Sequence, residues 1–568
     1  MLRRLGSAWF LPPLLLACAP AATNAPPASA SAPPTTLTSA EATASTRVTA
    51  ASIDAPLRFL SDDLLEGRGP GTRGDDLAVR FIAAEMESMG LQPGAGEGAD
   101  KSWFQKVPLV GITSKLPPSV TFSAKAGSAT FAVPTDLVVM SGVQDAKATV
   151  DASDVVFVGY GMVAPEYQWD DYKNVDVKGK VVLVMNDDPS SDPNLFAGKR
   201  RLWYGRWDYK YLEAAKHGAA GAIVIHTTPS AAYPWQVVVS SNAREKFQLP
   251  AVAGEPRLVA EMWATEEASK KIASLGGKDL DALRAAAEKR DFTPVPLGVK
   301  LSFGFTNELR TIQSENVVGV LPGTDPALAR EAVVYTAHHD HLGIGRPKDG
   351  DAIYNGAVDN ASGCATLLAI ARAAALSEPT KRSRVFVAVT AEEQGLLGSE
   401  WYARHPTFPA GRIAVDINID SANVRGKTSD VGFTGYGRSS ADAIVESLAK
   451  AQGRVVHAEP FPEKGSYYRS DQFSFARVGV PGIYLRGGPT YVGRPQGWGE
   501  AQSDEYEKLH YHQPSDEYSK DWDLSGAVED AQLLLLAGMR IADEPALPAW
   551  KPGDEFEAVR KAQIKAAP

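Results

Sequence analysis

From residue 314 onward, short apolar runs alternate with stretches whose apolar residues recur every three to four positions. The runs at 316–321, 332–336, 384–390, 414–419 and 482–485 predict strands, and the periodic stretches at 365–375, 439–452 and 524–541 predict helices. Such alternation predicts an α/β domain, a mixed and mostly parallel sheet with helices on both faces. An earlier helix is predicted over 75–89, where Val79, Ile82, Met86 and Met89 share one face and Gly90 supplies the stop. A turn-rich loop, residues 66–74, precedes it. Residues 130–305 differ in texture, with strand-like runs at 155–158, 181–184 and 222–225 and a helix at 213–217. The chain is therefore read as a discontinuous domain, 51–129 plus 306–545, interrupted by an inserted β-rich domain at 130–305 and followed by a C-terminal tail at 546–568.

The beginning of the chain does not read as part of a fold. Arg3 and Arg4 precede an apolar stretch too short to span a bilayer, which runs into Leu15-Leu16-Ala17-Cys18. Small and aliphatic residues before a cysteine resemble a bacterial lipoprotein signal over 1–18, with Cys18 acylated. The plainer alternative is a secretory signal cut near residue 22, and both readings export the protein to the periplasm or cell envelope. Residues 19–50 are almost entirely Ala, Pro, Thr and Ser, the composition of a disordered tether. No later segment approaches the roughly 18 apolar residues of a membrane span. Contact with a membrane, the outer membrane in this reading, is expected only through the lipid anchor.

The composition, 44% hydrophobic and 22% charged, is that of a soluble globular protein, and the net charge of -10 argues against a nucleic-acid partner. With Cys18 lipidated, Cys364 is the only cysteine left, so no intrachain disulfide can form. Cys364 heads an Ala/Leu-rich helical pattern and reads as a buried small apolar residue. The segment Gly159-Tyr160-Gly161 lacks the third glycine and the helix of a dinucleotide site.

The chain has nine histidines, of which three fall within 338–341 and two within 510–512. Carboxylates join them at strand ends. His338 follows the strand at 332–336, Glu392 and Glu393 follow 384–390, and Asp420 follows 414–419. In open α/β sheets the carboxyl ends of strands are where sites collect. His338, Asp359, Glu393, Asp420 and His512 offer two imidazoles and three carboxylates, more than the three ligands one catalytic zinc needs. The set therefore suggests two metals sharing a carboxylate. A second carboxylate next to a ligand, as in Glu392-Glu393, is what a base for the attacking water requires. The residues alone leave His339 and His341 as rivals of His338, and His510 as a rival of His512.

Several blocks together resemble the co-catalytic di-zinc metallopeptidase family that contains secreted bacterial leucyl-type aminopeptidases and glutamate carboxypeptidases. They are His338-His339-Asp340, Asp359-Asn360-Ala361-Ser362-Gly363, Glu392 to Ser399, Asn418-Ile419-Asp420, Ser470-Asp471, and Tyr511-His512 followed by Asp516. The resemblance implies His338, Glu393, Asp420 and His512 as ligands of two Zn2+ ions, with Asp359 bridging. It implies Glu392 as general base, Asp340 as the partner that orients His338, and a cis peptide between Asp359 and Asn360. It also implies that 130–305 is a protease-associated domain, which would cover the cleft and carry no chemistry. One departure stands out, Gln472 where many relatives have His.

The expected function is an exported aminopeptidase acting on peptides. A carboxypeptidase or other amide hydrolase could use the same site, with Arg469, Arg486 or Arg494 gripping a terminal carboxylate. A one-zinc cyclotransferase would not need five ligands, and a non-catalytic binding module would not need the intact set.

Overall fold

The computed structural model describes residues 33–242 and 245–567. Its central sheet is built from β1 (Phe104–Lys115), β2 (Val295–Leu321), β3 (Ala332–His338), β4 (Ser383–Val389), β5 (Ile413–Asn418), β6 (Asp430–Thr434), β7 (Val455–Ala458) and β8 (Gly482–Gly487). The spatial order is β1-β2-β4-β3-β5-β8-β6-β7. The middle four strands, β4, β3, β5 and β8, run parallel, whereas β2 meets β4 and β6 meets β8 antiparallel. The sheet is thus mixed around a parallel centre, as expected.

Every residue of β3, β4 and β5 is buried, as parallel strands covered on both faces must be. Val333, Tyr335, Ala337, Phe386 and Ala388 point into one core. Val334, Val385, Val387 and Val389 point into another on the opposite face. The helices that matter here are α1 (Ser39–Ser45), α2 (Ala50–Leu60), α3 (Arg73–Ser88), α4 (Ser362–Ala375), α5 (Leu397–Arg404), α6 (Ser525–Asp543) and α7 (Glu557–Ala566). Apolar residues of α1 to α4 and α6 fill the first core, and Tyr402 of α5 joins the second.

A second lobe has cores of its own, around Phe122, Phe157, Leu183 and Ile223 and around Val156, Val182, Val224 and Trp263. Its parallel strands Val181–Met185 and Gly221–Ile225 match runs read from the sequence, and Ala260–Ala264, which no run announced, pairs beside them. Its apolar core begins at Val120, ahead of the expected boundary at 130. The 27-residue β2 ties the lobes together, since its first half pairs within the second lobe and its last residues pair with β4.

Two expectations at the chain ends fail. The tether was expected to run to residue 50, yet α1 lies within it, closed by a capping box in which Thr38 and Glu41 satisfy each other's backbone N–H groups. Ala44 and Val48 are buried in the main core, and Arg540 of α6 pairs with Glu41 at 2.6 Å. Small residues cannot build a core alone, but they pack well against a helix that is already there. Residues 1–32, which hold the expected signal and Cys18, lie outside the described residues. At the other end, the expected tail is part of the fold. Trp550 and Phe556 are buried, and the Trp550 indole donates to the Gly479 carbonyl at 2.9 Å.

Candidate metal centre

His338 ends β3, and its Nε2 lies 3.2 Å from Asp359 Oδ1 and 3.5 Å from Asp420 Oδ1. On the other side of Asp359, His512 Nε2 lies 3.3 Å from Asp359 Oδ2 and 3.1 Å from Glu393 Oε2. Two ligands held tetrahedrally by one zinc at about 2.1 Å stand roughly 3.4 Å apart. All four separations are near that value. The two oxygens of Asp359 thus face two different donor groups, the arrangement a bridging carboxylate needs. The donor set, imidazole and carboxylate, suits zinc.

The backbone explains why these groups converge. His338, Glu393 and Asp420 lie at or just past the carboxyl ends of buried parallel strands, whereas Asp359 sits just ahead of α4 and His512 follows the helix Trp498–Leu509. Ala391, Ser421 and His512 adopt left-handed backbone angles, with φ of 54°, 77° and 57°, which turn the chain sharply beside the site. The Asp359–Asn360 peptide is cis. Asn360 Oδ1 accepts from Gly363 N and Ser421 N at 2.9 Å each, tying the turn after β5 to the start of α4. Asp516 accepts from Val358 N at 3.0 Å and Asp359 N at 3.1 Å, which fixes the bridging residue from behind.

The charges are strongly coupled. Burial opposes the protonation of His512, but the Glu393 and Asp359 carboxylates hold its pKa up at about 10. His338 is likewise held well above the usual imidazole range by Glu392, Asp359 and Asp420 against the effect of burial. Glu393 and Asp359 are held low by those histidines although burial pushes them up. Burial, reinforced by Glu393, raises Glu392 well above the carboxylate range. Carboxylates gathered at this depth require compensating positive charge, and bound cations would provide it.

The rival histidines separate clearly, with one exception. His339 turns away, its Nδ1 3.3 Å from Asp75 and its Nε2 3.0 Å from the Glu315 carbonyl. His510 faces Ser515. His341 does approach the site, with Nδ1 2.7 Å from Glu393 Oε1, and it forms a second donor group with Asp359 and Glu393. That contact lies off the line of a hydrogen bond, leaving His341 Nδ1 and Glu393 Oε1 both without one. His512 has the stronger geometry because its single Nε2 faces both carboxylates. The rings of the two histidines meet edge to face at 5.6 Å.

Asp340 occupies a place different from the expected one. Its carboxylate accepts the backbone N–H of Glu392 at 3.0 Å and of Glu393 at 3.4 Å, while His338 Nδ1 is 3.9 Å from it and closer, 3.2 Å, to the Asp340 carbonyl. The side chain thus anchors the Glu392-Glu393 turn at least as much as it faces the imidazole. Gln472 is fully buried and accepts from Asn418, the last residue of the central strand β5, at 2.8 Å.

Glu392, Glu393, Tyr511 and His512 form part of the floor of a cleft of about 610 Å³ between the lobes, walled on the far side by Trp203, Trp207 and Tyr233. Of the three arginines considered above, Arg469 lines the cleft, Arg486 donates to the Tyr484 hydroxyl at 2.8 Å, and Arg494 lies over the Trp498 ring. Two aromatic residues take roles at the site that were not assigned from the sequence, although Tyr511 stands in the block with His512. Tyr511 stacks on His512 with ring centroids 3.9 Å apart, and the Tyr484 hydroxyl lies 3.4 Å from Asp420 Oδ2. The period-two alternation of β8 could have placed Tyr484 on the site side.

Comparisons with known proteins bear on the same region. Residues 316–536 match Peptidase family M28. Aminopeptidase YwaD of Bacillus subtilis is 26% identical over 326 residues, which cover 54% of this chain and 56% of that protein, so the match spans little more than half of the relative. An aminopeptidase structure from Aneurinibacillus sp. strain AM-1 is 19% identical and aligns over 91% of this chain and 99% of its own, with a TM-score of 0.49. A zinc aminopeptidase structure from Bacillus subtilis is 18% identical over 88% and 97%, with a TM-score of 0.42. The stretch that matches Peptidase family M28, residues 316–536, contains His338, Asp359, Glu392, Glu393, Asp420 and His512.

Proposed function

We propose that the chain is an exported di-zinc aminopeptidase that removes N-terminal residues from peptides. The observation that carries this reading is the Asp359 carboxylate, one oxygen facing His338 and the other His512. His338 and Asp420 would hold one ion, Glu393 and His512 the other, with Asp359 shared. When bound, zinc supplies Lewis acidity toward the scissile carbonyl and lowers the pKa of the attacking water. Glu392, beside a ligand and facing the cleft, takes the proton from that water and passes it to the departing amine. Asp340 keeps the Glu392-Glu393 turn in place while this happens.

Chelation is expected to abolish turnover, and zinc titration to restore it at two ions per chain. His512→Ala is expected to lose one ion and His341→Ala to keep both. Metal analysis of the two variants checks the assignment, and a reversed pattern would move the ligand to His341.

An unblocked amine is the simplest remaining handle on the substrate, placed against the acidic residues around the centre. An N-acetylated peptide is therefore expected to be a poor substrate. Comparing free, N-acetylated and C-amidated forms of one short peptide tests this. If only amidation stops cleavage, Arg469 is gripping a terminal carboxylate and the enzyme is a carboxypeptidase.

The second lobe is read as a protease-associated domain that shapes access. Among the described residues it contributes no member of either donor group. Anchoring through Cys18 would also suit the geometry. Pro34 and Thr36 accept from Arg540 near the end of α6, the end at which Asp543 accepts from Lys381 N just ahead of β4. That is the amino end of the central strands, opposite the carboxyl ends that carry His338, Glu393 and Asp420, so an anchor attached there would turn the cleft away from the membrane. Cys18→Ser is expected to release the protein from the membrane fraction with its activity intact. Retention of the variant in that fraction would count against acylation.

A further inference from the structure

The turn-rich loop at 66–74 has no place in the mechanism above, yet it delivers a buried cation to the back of the centre. Residues Asp63–Arg68 form a short 3-10 turn with Glu66, Gly67 and Arg68 all in the left-handed region. Gly67 is required there: at φ +69° an added Cβ would lie 2.4 Å from the Tyr354 carbonyl and 2.8 Å from that of Gly343. This tight approach drives the Arg68 side chain inward, where only 1% of the residue is exposed.

The guanidinium donates to four backbone carbonyls. Nε donates to His339 O at 2.7 Å, Nη1 to Asn355 O at 2.6 Å and to Leu60 O, and Nη2 to Gly356 O at 3.0 Å. In return, His341 N donates to the Arg68 carbonyl at 3.3 Å. One planar group thus joins the segment carrying His338 to His341 with the segment leading into Asp359. Asp516 holds this second segment from its N–H side, at Val358 and Asp359. Asp340, Asp516 and Asp359 also act on Arg68 electrostatically. Its hydrogen bonds go to carbonyls, and its positive charge sits behind the acidic cluster. Lysine could not reproduce the effect, because a single ammonium lacks the planar fork that reaches several carbonyls at once.

We propose that Arg68 is a positioning residue for metal binding, holding the two ligand segments at coordination spacing and offsetting part of their negative charge. It touches neither substrate nor ion. The proposal rests on the two-ion reading of the site.

The test uses the full chain with Arg68→Met and Arg68→Lys. Apparent zinc dissociation constants come from competition with a chelator, and thermal midpoints are measured for metal-free and zinc-loaded protein. Loss of a group that supports ligands from behind typically costs about 10–100-fold in metal affinity. A weakening in that range is expected for Arg68→Met and a smaller one for Arg68→Lys, with a larger drop in the midpoint of the loaded form than of the metal-free form. Zinc affinities within about twofold of the unaltered chain, with both midpoints lowered equally, would make Arg68 a purely structural residue. Where Arg68→Met fails to fold, Arg68→Lys decides, and failure of both to fold also overturns the proposal. If the unaltered chain itself binds fewer than two zinc ions, it is the two-ion reading that falls. If it binds two and the variants bind them equally well, only the role of Arg68 falls.

Discussion

Glu392→Gln is expected to lower kcat by roughly 10²–10⁴-fold while two zinc ions stay bound. The carboxamide has nearly the same shape as the carboxylate but cannot accept a proton from water. The substitution leaves the surrounding structure alone, because the turn is held through the backbone. Glu392 N and Glu393 N donate to Asp340, and the Glu392 carbonyl accepts from Gly395 N and Leu396 N. The side chain lines the cleft and is only partly covered, so no buried network is broken. KM should change little, since substrate binding does not depend on the proton transfer. The measurement pairs steady-state kinetics on a free peptide with metal content of the same preparation. Turnover within about tenfold of the unaltered enzyme, with both ions present, would place the base elsewhere.

The parts of this site that the sequence reveals are those coupled to regular periodicity. Buried parallel strands read as continuous apolar runs, so β3, β4 and β5 are evident, and with them the position of His338, Glu392, Glu393 and Asp420 within three residues of each run's end. Past the end of a strand the alternation stops, which is why composition alone could not choose among His338, His339 and His341. The fold removes His339 by sending it to Asp75 and Glu315, and it brings both His338 and His341 up to the carboxylates. β2 was visible only over its last residues. Its earlier part is a ribbon with polar groups such as Lys300, Glu308 and Arg310 along it, so no apolar run marks it. Arg68 was illegible for another reason, since its partners are backbone carbonyls far away in sequence, which leave no side-chain signature. The chain ends were misread because α1 and α7 depend on surfaces supplied by other elements. Thr38 and Glu41 carried a capping signal, but a low apolar content outweighed it.

The second large effect concerns stability and lies at the C-terminal end. Arg438 is 2% exposed and pairs with Asp554 at 2.8 Å and with Glu555 at 2.8 Å, carboxylates whose side chains are themselves only 3% and 6% exposed. Tyr467, Trp550 and Phe556 present ring faces to its guanidinium at 4.4, 5.2 and 5.2 Å. Arg438→Met keeps the bulk but leaves two buried carboxylates without their cation, and breaking such a pair from one side costs about 3–5 kcal/mol. The damage should spread toward the cleft, because Glu555 also accepts from Trp203 N at 3.2 Å and from the Tyr468 hydroxyl at 2.5 Å, and Trp203 forms part of the cleft wall. The expected result is a lower thermal midpoint, proteolytic release of the segment after residue 549, and a raised KM with less change in kcat. Adding Asp554→Asn and Glu555→Gln to the Arg438→Met variant should recover part of the loss, since neutral amides no longer carry uncompensated charge into the interior. A stability within about 1 kcal/mol of the unaltered chain for Arg438→Met alone would mean that water reaches these carboxylates and that the C-terminal segment is held by its aromatic contacts instead.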